Sequence, residues 1–268
     1  MDKMNYEKYG FVIPVYNHGA ALQSVVNELS PFNLPIIVVD DGNDEKNKKF
    51  INAVAQNNHL VTLVVRPKNG GKGLAMKDGV RKAAQMGLTH ILQIDSDGQH
   101  DTKRVQYFLE KSKENPQAII CGYPEYDESA PKKRVNGRKV ANGWIHFVTL
   151  SHDIVDAMIG FRVYPVKPYI ALLEKNPVLD DRMGYDIDIL VKLFWQGVPV
   201  ISESVKVFYP SDGISNFRYF SDTMRISGTY ARLCIGMLFR LPKLISLRKN
   251  RIAERKTGKS ANILILFD

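Results

Sequence analysis

The chain has 268 residues, of which 44% are hydrophobic and 24% charged, so it fits one large domain, or a domain with a small appendage, around an ordinary core. This composition excludes a disordered chain and a small disulfide-held scaffold. The net charge of +9 favours phosphates, anionic lipid or nucleic acid as partners without choosing among them.

Cysteine usage and hydropathy indicate where the protein works. Cys121 and Cys234 lie far apart and form no Cys-x-x-Cys pair, so we expect a cytoplasmic location. The first residues lack the apolar stretch of a secretory signal, and no run approaches the ~20 apolar residues of a membrane-spanning helix. Any membrane contact is therefore predicted to be peripheral, on the inner face of the cell membrane.

Apolar runs alternate with helical patterns through the first half of the chain. This alternation is typical of βαβ units. Because the runs are almost continuously apolar, they predict an α/β fold with a mostly parallel sheet covered by helices on both faces. The predicted strands lie at 11–15, 36–39, 61–65, 91–94 and 118–121.

The composition changes after Gly122, where a polar, proline-bounded stretch over 123–131 predicts a loop between two halves. A helix over 185–195 and a strand over 198–207 are predicted in the second half. Between them and the loop lies an amphipathic helix. Its apolar residues are Val140, Trp144, Phe147 and Val148.

The C-terminal region combines apolar and basic residues and allows two interpretations. It is either an interfacial helix on anionic lipid or a helix that packs on the core, and the last residues favour a solvated tail. The apolar positions are Met224, Ile226, Tyr230, Leu233, Met237 and Leu238, and the basic ones are Arg225, Arg232, Arg240 and Lys243.

Two carboxylates, Asp95 and Asp97, flank Ser96 directly after a strand-like apolar run. Carboxylate oxygens are hard ligands, and Mg²⁺ or Mn²⁺ commonly takes one or two of them together with phosphate oxygens. The triplet therefore predicts a divalent-cation site and a phosphorylated substrate. The alternative is a plain turn, because Asp and Gly also end strands.

Other unusual residues follow the earlier predicted strands, and ligands bind at the carboxyl ends of strands in open α/β sheets. Tyr16 offers a flat face to a nucleobase, and Asp40 or Asp41 can accept a hydrogen bond from a base N–H. The glycine-rich stretch 70–73 allows close backbone approach, and its Lys72 supplies an ammonium at a helix N-terminus that favours anions.

Four segments in this order resemble the nucleotide-sugar glycosyltransferases of the GT-A fold, specifically the large inverting glycosyltransferase family two. The resemblance runs over about the first 210 residues. It implies a GT-A fold with a Rossmann-like sheet and an acceptor-binding second half. The segments are Ile13-Pro14-Val15-Tyr16-Asn17, Val38-Val39-Asp40-Asp41-Gly42, Asn69-Gly70-Gly71-Lys72-Gly73 and Ile94-Asp95-Ser96-Asp97-Gly98-Gln99.

The resemblance implies a nucleoside-diphosphate sugar donor, with Asp95 and Asp97 holding Mg²⁺ or Mn²⁺. It divides the chain into a donor-binding half (1–122), an acceptor-binding half (123–215) and a basic C-terminal region (216–268). Asn43 stands where Ser is usual, and we expect little consequence. The residues that it assigns to the nucleotide sugar are Pro14, Tyr16, Asn17, Asp40, Asp41, Lys72, Asp95 and Ser96.

The segment from Asp156 to Tyr164 resembles the Asp-x-x-x-Gly-Phe-Arg segment of polyprenyl-phosphate glycosyltransferases such as dolichyl-phosphate mannose synthase. Ile159 departs from the Ser or Cys common there. Arg162 is interpreted as holding a phosphate bidentately or as forming an ion pair with Asp156. By the same resemblance, Asp186 is the candidate base, and with Asp156 and Arg162 it forms the predicted catalytic set.

The resemblance implies a lipid-linked or polyprenyl-phosphate acceptor, and the alternative is a hydroxyl of a soluble acceptor or a polysaccharide. A hydroxyl acceptor needs a carboxylate base, whereas a phosphate acceptor is already ionised.

Two other classes of protein fit the sequence less well than a glycosyltransferase. A haloacid-dehalogenase-like phosphatase places its Asp pair near the first strand, and nucleic-acid binding is not expected because no reader motif is found.

Overall fold

The computed structural model describes residues 7–125, 132–175, 177–206 and 219–257. The strands are β1 (Tyr9–Val15), β2 (Ile36–Asp40), β3 (Val61–Val65), β4 (His90–Gln93), β5 (Ile119–Glu125), β6 (Arg162–Pro165) and β7 (Val200–Lys206). The helices are α1 (Gly19–Leu29), α2 (Glu45–Asn57), α3 (Lys72–Gln85), α4 (Val105–Glu114), α5 (Lys132–Thr149), α6 (Val166–Glu174), α7 (Tyr185–Trp195) and α8 (Tyr219–Thr257).

The strands form one seven-stranded sheet in the order β3-β2-β1-β4-β6-β5-β7. All neighbours are parallel except β6, which is antiparallel to both β4 and β5. The prediction of a mostly parallel sheet flanked by helices is confirmed. The chain moves outward from β1 through β2 and β3 and then returns to place β4 on the other side of β1. A ligand crevice is expected at this reversal, beyond the carboxyl ends of β1 and β4.

The core consists of two apolar layers, one on each face of the sheet. Successive strand residues point to opposite faces, so Phe11 packs in one layer and Val12 in the other. One layer contains apolar residues of α1, α2 and α4, and the other contains those of α3, α5, α6, α7 and α8. Both layers hold the strand ends in fixed positions.

The structure differs from the sequence prediction around β5 and β6. The loop predicted from Tyr123 was wrong for its first three residues, because β5 continues to Glu125 in parallel pairing with β7. The rest of that predicted loop, 126–131, lies outside the described residues. The strand β6 and the helix α6 were not predicted. The divisions at 122 and 215 stay predictions, although strands from both sides of the first join one sheet.

The predicted apolar face of α5 was wrong at three of its four positions. Val140, Trp144 and Phe147 are 66%, 47% and 51% exposed, whereas Ile145 and Val148 are fully buried. The apolar positions of this helix therefore occupy two faces, and periodicity alone does not reveal which one meets the core.

The C-terminal helix α8 packs on α5 and α7. Tyr230, Leu233 and Met237 are buried there, as the core-packing interpretation predicted, while Met224 and Leu238 are 61% and 63% exposed. Among the described residues, no helix has both the length and the apolar character needed to cross a membrane. The segment 207–218 and the end of the tail lie outside the described residues.

Candidate functional site

An open cleft of about 1380 Å³ lies at the reversal of strand order. It is lined by the carboxyl ends of the strands, the N-terminus of α3, the start of α7 and one side each of α5 and α8. Asp40, Asp156 and Arg162 are not among the lining residues. Those that were predicted from the sequence and line the cleft are Pro14, Tyr16, Asn17, Asp41, Lys72, Asp95, Ser96, Asp97 and Asp186.

Asn43 connects the ends of β1 and β2. Its side-chain NH₂ donates to the Asp40 carboxylate at 2.6 Å and to the Val15 carbonyl at 2.8 Å. Its Oδ1 accepts from the backbone N–H of Asn17 at 2.7 Å, and Asn17 has a left-handed φ of 62°. A serine hydroxyl has one hydrogen and cannot make these contacts together, so the residue does more than the sequence led us to expect.

Asp41 shapes the glycine loop in front of α3. Its carboxylate accepts from the Gly70 and Gly71 backbone N–H groups at 3.0 and 2.8 Å, and from Arg66 and Asn69 at 2.7 and 2.9 Å. Burial raises the pKa of Asp41, and these donors oppose that rise. Gly71 has a φ of 99°, which favours glycine, so both its conformation and its contact with Asp41 fix the loop.

Lys72 joins two carboxylates at the centre of the cleft. Its Nζ lies 2.7 Å from Asp95 Oδ1 and 2.7 Å from Asp186 Oδ2. Burial alone would lower the pKa of Lys72, but the charges of Asp186 and Asp95 outweigh it and raise the pKa above its ordinary value. Gln93 Nε2 donates to the other oxygen of Asp186 at 2.8 Å. Asp186 is therefore held on both oxygens.

The Asp95 and Asp97 pair sits at the end of β4 and faces the cleft. Asp97 Oδ1 accepts from the Gln99 N–H at 3.0 Å, and His100 Nε2 lies 3.8 Å from Asp95 Oδ2. Burial would raise the pKa of Asp95, but Lys72 and His100 lower it. Within the described residues, no three His, Cys, Asp or Glu side chains are grouped to hold a metal by themselves. Two carboxylates at an open cleft still fit Mg²⁺ or Mn²⁺ when a diphosphate and water complete the ligands.

Arg162 is fully buried beneath the cleft rather than exposed within it. Its Nη1 donates to the Tyr164 hydroxyl at 3.0 Å and to the Asp186 backbone carbonyl at 2.6 Å. It forms no ion pair with Asp156, which pairs with Arg138 instead, so neither sequence interpretation of Arg162 matches its position. In this conformation Arg162 supports the start of α7 from below.

Asp156 is also held away from the cleft. Its carboxylate pairs with Arg138 at 2.8 Å and accepts the backbone N–H groups of Met158 and Ile159 at 2.8 and 3.0 Å. Only 2% of Asp156 is exposed. The side chain orders the segment before β6 and positions Arg138, which itself lines the cleft.

A buried ionic cluster at the start of α7 was missed in the sequence. Asp188 is fully buried, and its carboxylate lies 2.7 Å from Lys192 Nζ and 3.0 Å from Arg232 of α8. It also accepts from the Asp180 N–H at 2.9 Å. The neighbouring Asp181 carbonyl accepts from the Gly73 N–H at 2.9 Å, so α8, the segment before α7 and the glycine loop are mechanically connected.

The other end of the cleft is lined by residues that the sequence did not single out as site residues. They come from α5 and α8, far apart along the chain, and combine apolar with basic side chains. The only available signal was the i, i+4 spacing of apolar residues next to arginines. The lining residues at this end include Arg138, Val140, Trp144, Arg225, Ile226 and Tyr230.

The fold is that of the GT-A glycosyltransferases. A crystal structure of glucosyl-3-phosphoglycerate synthase from Mycobacterium tuberculosis, in complex with Mn²⁺, UDP-glucose and phosphoglyceric acid, superposes with a TM-score of 0.63. The superposition covers 87% of this chain and 80% of that chain at 14% sequence identity. Residues 11–172 match the family model described as Glycosyl transferase family 2, and the chain belongs to this family. It is therefore a glycosyltransferase.

Curated relatives differ in the acceptors that their names state. A poly(ribitol-phosphate) beta-glucosyltransferase of Bacillus spizizenii is 30% identical over 178 residues, which are 64% of this chain and 26% of that protein. A dolichyl-phosphate beta-glucosyltransferase of Trichomonas vaginalis is 28% identical over 201 residues, 68% of this chain and 58% of that protein. The chain thus spans less than two thirds of the length of both relatives.

Proposed function

We propose that this glycosyltransferase moves a sugar from a nucleoside-diphosphate sugar to a phosphate-bearing acceptor, with inversion at the anomeric carbon and with a divalent cation. The observation that carries the proposal is the meeting of Asp95, Asp97 and Lys72 in one cleft at the reversal of strand order. Carboxylates for a cation and an ammonium for a diphosphate are the groups that this reaction needs.

The donor is proposed to bind over the carboxyl ends of β1 and β2. Tyr16 is 37% exposed at the cleft and offers its ring to the base. Asp41, at the same end, is the better placed of the two aspartates for a base N–H, because it lines the cleft and Asp40 does not. Pro14, Asn17 and Ser96 complete the proposed donor contacts.

The diphosphate is proposed to lie between Lys72 and the pair of Asp95 and Asp97. A Mg²⁺ or Mn²⁺ ion bound to both carboxylates would stabilise negative charge on the leaving diphosphate. Lys72 binds the diphosphate in the same region.

The acceptor is proposed to be anionic because the acceptor end of the cleft is basic. Arg138 and Arg225 line this end of the cleft, and Asp186 is already engaged on both oxygens. A phosphate acceptor brings an ionised nucleophile and needs no strong base, so an engaged Asp186 suits it. The names or titles of the relatives and of the structural neighbour mention dolichyl phosphate, poly(ribitol phosphate) and phosphoglyceric acid.

A donor and acceptor screen tests this function. Release of nucleoside diphosphate is measured for several nucleotide sugars with polyprenyl phosphate, a soluble phosphorylated acceptor and a neutral carbohydrate. We expect transfer to a phosphate-bearing acceptor, and an inverted anomeric configuration in the product by NMR. Transfer only to the neutral hydroxyl acceptor would contradict the proposed acceptor class, and no release with any donor would contradict the donor assignment.

Two variants separate the proposed roles. Asp97→Ala should abolish turnover with every acceptor, and fully retained activity would remove the cation role. Asp186→Asn keeps an oxygen for Lys72 but cannot take a proton. With a phosphate acceptor it should retain measurable turnover, whereas with a hydroxyl acceptor turnover should be lost.

A further inference from the structure

The helix α8 has apolar residues on two opposite faces. At 39 residues it is about 58 Å long, and its buried side chains pack on the rest of the protein. The opposite side is also apolar, and its residues recur at intervals of three, four, seven or eleven along the helix, which places them on one stripe. We call this stripe the outer apolar face: Phe220, Met224, Ile235, Leu238 and Ile245, bordered by Phe239.

The side chains of the outer apolar face are largely exposed to solvent. Phe220 and Phe239 are 80% and 83% exposed, and Ile235 and Leu238 are 59% and 63% exposed. Single exposed apolar residues are ordinary on protein surfaces, but an extended apolar stripe marks a surface that contacts a partner or a membrane. The outer residues do not contribute to the contact between α8 and the core, because Leu233 and Met237 on the inner face make that contact.

The helix α5 adds a second exposed stripe that reaches the catalytic cleft. Val140, Trp144 and Phe147 follow each other at i, i+4 and i+7, and the rings of Trp144 and Phe147 make an edge contact. Val140 and Trp144 line the cleft together with Arg225 and Ile226 of α8. The exposed stripe of α5 is therefore adjacent to the acceptor end of the cleft.

The charge next to this surface is positive. Arg225, Lys243, Arg248 and Lys249 are exposed on α8, and none of the described exposed side chains of this helix is acidic. Two further arginines of α8 are turned toward the protein, where Arg240 stacks on Trp195 and Arg251 on Phe194. Basic side chains beside apolar residues match an anionic lipid surface.

We propose that the outer apolar face of α8, with the exposed stripe of α5, docks on an anionic membrane surface and places the acceptor end of the cleft against the lipid. As far as it concerns the acceptor, this rests on the proposed function. A second copy of the chain fits less well, because the basic side chains of two such faces would repel each other. The partner is therefore a bilayer with anionic headgroups.

The docking is tested by flotation of the full chain with vesicles of phosphatidylcholine, with and without phosphatidylglycerol. The double variant Leu238→Ser and Phe239→Ser removes apolar area without touching the core. It should reduce binding to anionic vesicles at least about tenfold, given the transfer free energy of two large apolar side chains. The matched control is Phe50→Ser with Val178→Ser, exposed apolar positions elsewhere, and it should bind as the parent does.

Three results would overturn the proposal: equal flotation of the double variant and the parent, equal binding of the parent to neutral and anionic vesicles, or a change of oligomeric state in the double variant with unchanged vesicle binding. A measurement without membranes distinguishes a failure of the docking proposal from a failure of the proposed function. Donor binding and slow donor hydrolysis by the double variant should equal those of the parent. If they do and flotation is unaffected, the docking surface is wrong while the proposed function stands.

Discussion

The proposed donor end and the proposed acceptor end of the cleft are built in different ways. The donor end consists of short segments that each follow a strand, and hydrogen bonds such as those of Asp41 and Asn43 fix them to one another. The acceptor end consists of the sides of α5 and α8, and two of its apolar residues, Val140 and Trp144, stay exposed. Sheet topology dictates that strand ends meet, whereas the side that a helix presents depends on packing between distant parts of the chain.

After Asp97, Lys72 gives the largest expected effect, and its variant tests whether the charges around Lys72 determine donor binding. Lys72→Met removes the ammonium between Asp95 and Asp186 and should lower turnover about 10²-fold, mainly through weaker donor binding. The measurement is steady-state diphosphate release at varied donor concentration. Lys82→Met, on the same helix, serves as the control and should behave as the parent. Unchanged kinetics of Lys72→Met would contradict the donor assignment.

Arg232 tests whether α8 supports the catalytic segment as well as the acceptor end. Arg232→Met leaves the buried Asp188 with Lys192 as its remaining cation. We expect the free energy of unfolding to fall by about 1–2 kcal/mol, a value reduced for the partial exposure of Arg232. Urea unfolding measures this, with Arg225→Met as the exposed control. If α8 were only an appended surface helix, both variants would unfold alike.

Asn43 tests whether side-chain hydrogen bonds hold the strand ends of the proposed donor end together. Asn43→Ser shortens the side chain that links Asp40, the Val15 carbonyl and the Asn17 N–H. The loss of buried hydrogen bonds should lower the free energy of unfolding by about 1 kcal/mol and weaken donor binding. Asn57→Ser, at an exposed position, is the matched control. Equal stability of the two variants would mean that Asn43 does not join the strand ends.

His90 gives the smallest expected effect, on stability at low pH. It lies at the amino end of β4, and the cleft lies at the carboxyl end. Burial lowers the pKa of His90, so the unfolded chain binds a proton more readily than the folded protein. Stability should therefore fall as the pH drops below about 6.5, the ordinary histidine value. His90→Gln should weaken this dependence in unfolding experiments at several pH values. An identical pH profile of variant and parent would assign the dependence to other groups.

The sequence predicted which residues of the strand ends line the cleft, because parallel strands bring their carboxyl ends together. Asp41, Lys72, Asp95 and Asp97 were placed at one cleft by the order of strands alone, and all of them line it. Arg162 could not be placed this way. Its depth depends on β6, a four-residue strand that lies antiparallel between β4 and β5 and has no distinctive pattern.

The acceptor end was predicted less well because apolar periodicity does not distinguish a buried face from an exposed one. In α5, Ile145 is buried while Trp144, one residue earlier, is 47% exposed. The link between Asp188 and Arg232 joins positions 44 residues apart and depends on how α8 packs on α7. No local spacing rule reports such a contact.

The most direct test of the central claim is the binding of nucleoside diphosphate by calorimetry, with and without Mn²⁺. Uridine and guanosine diphosphate are titrated into the parent and into Asp97→Asn. The account predicts that Mn²⁺ strengthens binding of one of them at least about tenfold in the parent and has little effect in Asp97→Asn, because the carboxylate and the diphosphate share the cation. Binding in the parent that is equally strong without the cation would contradict the account.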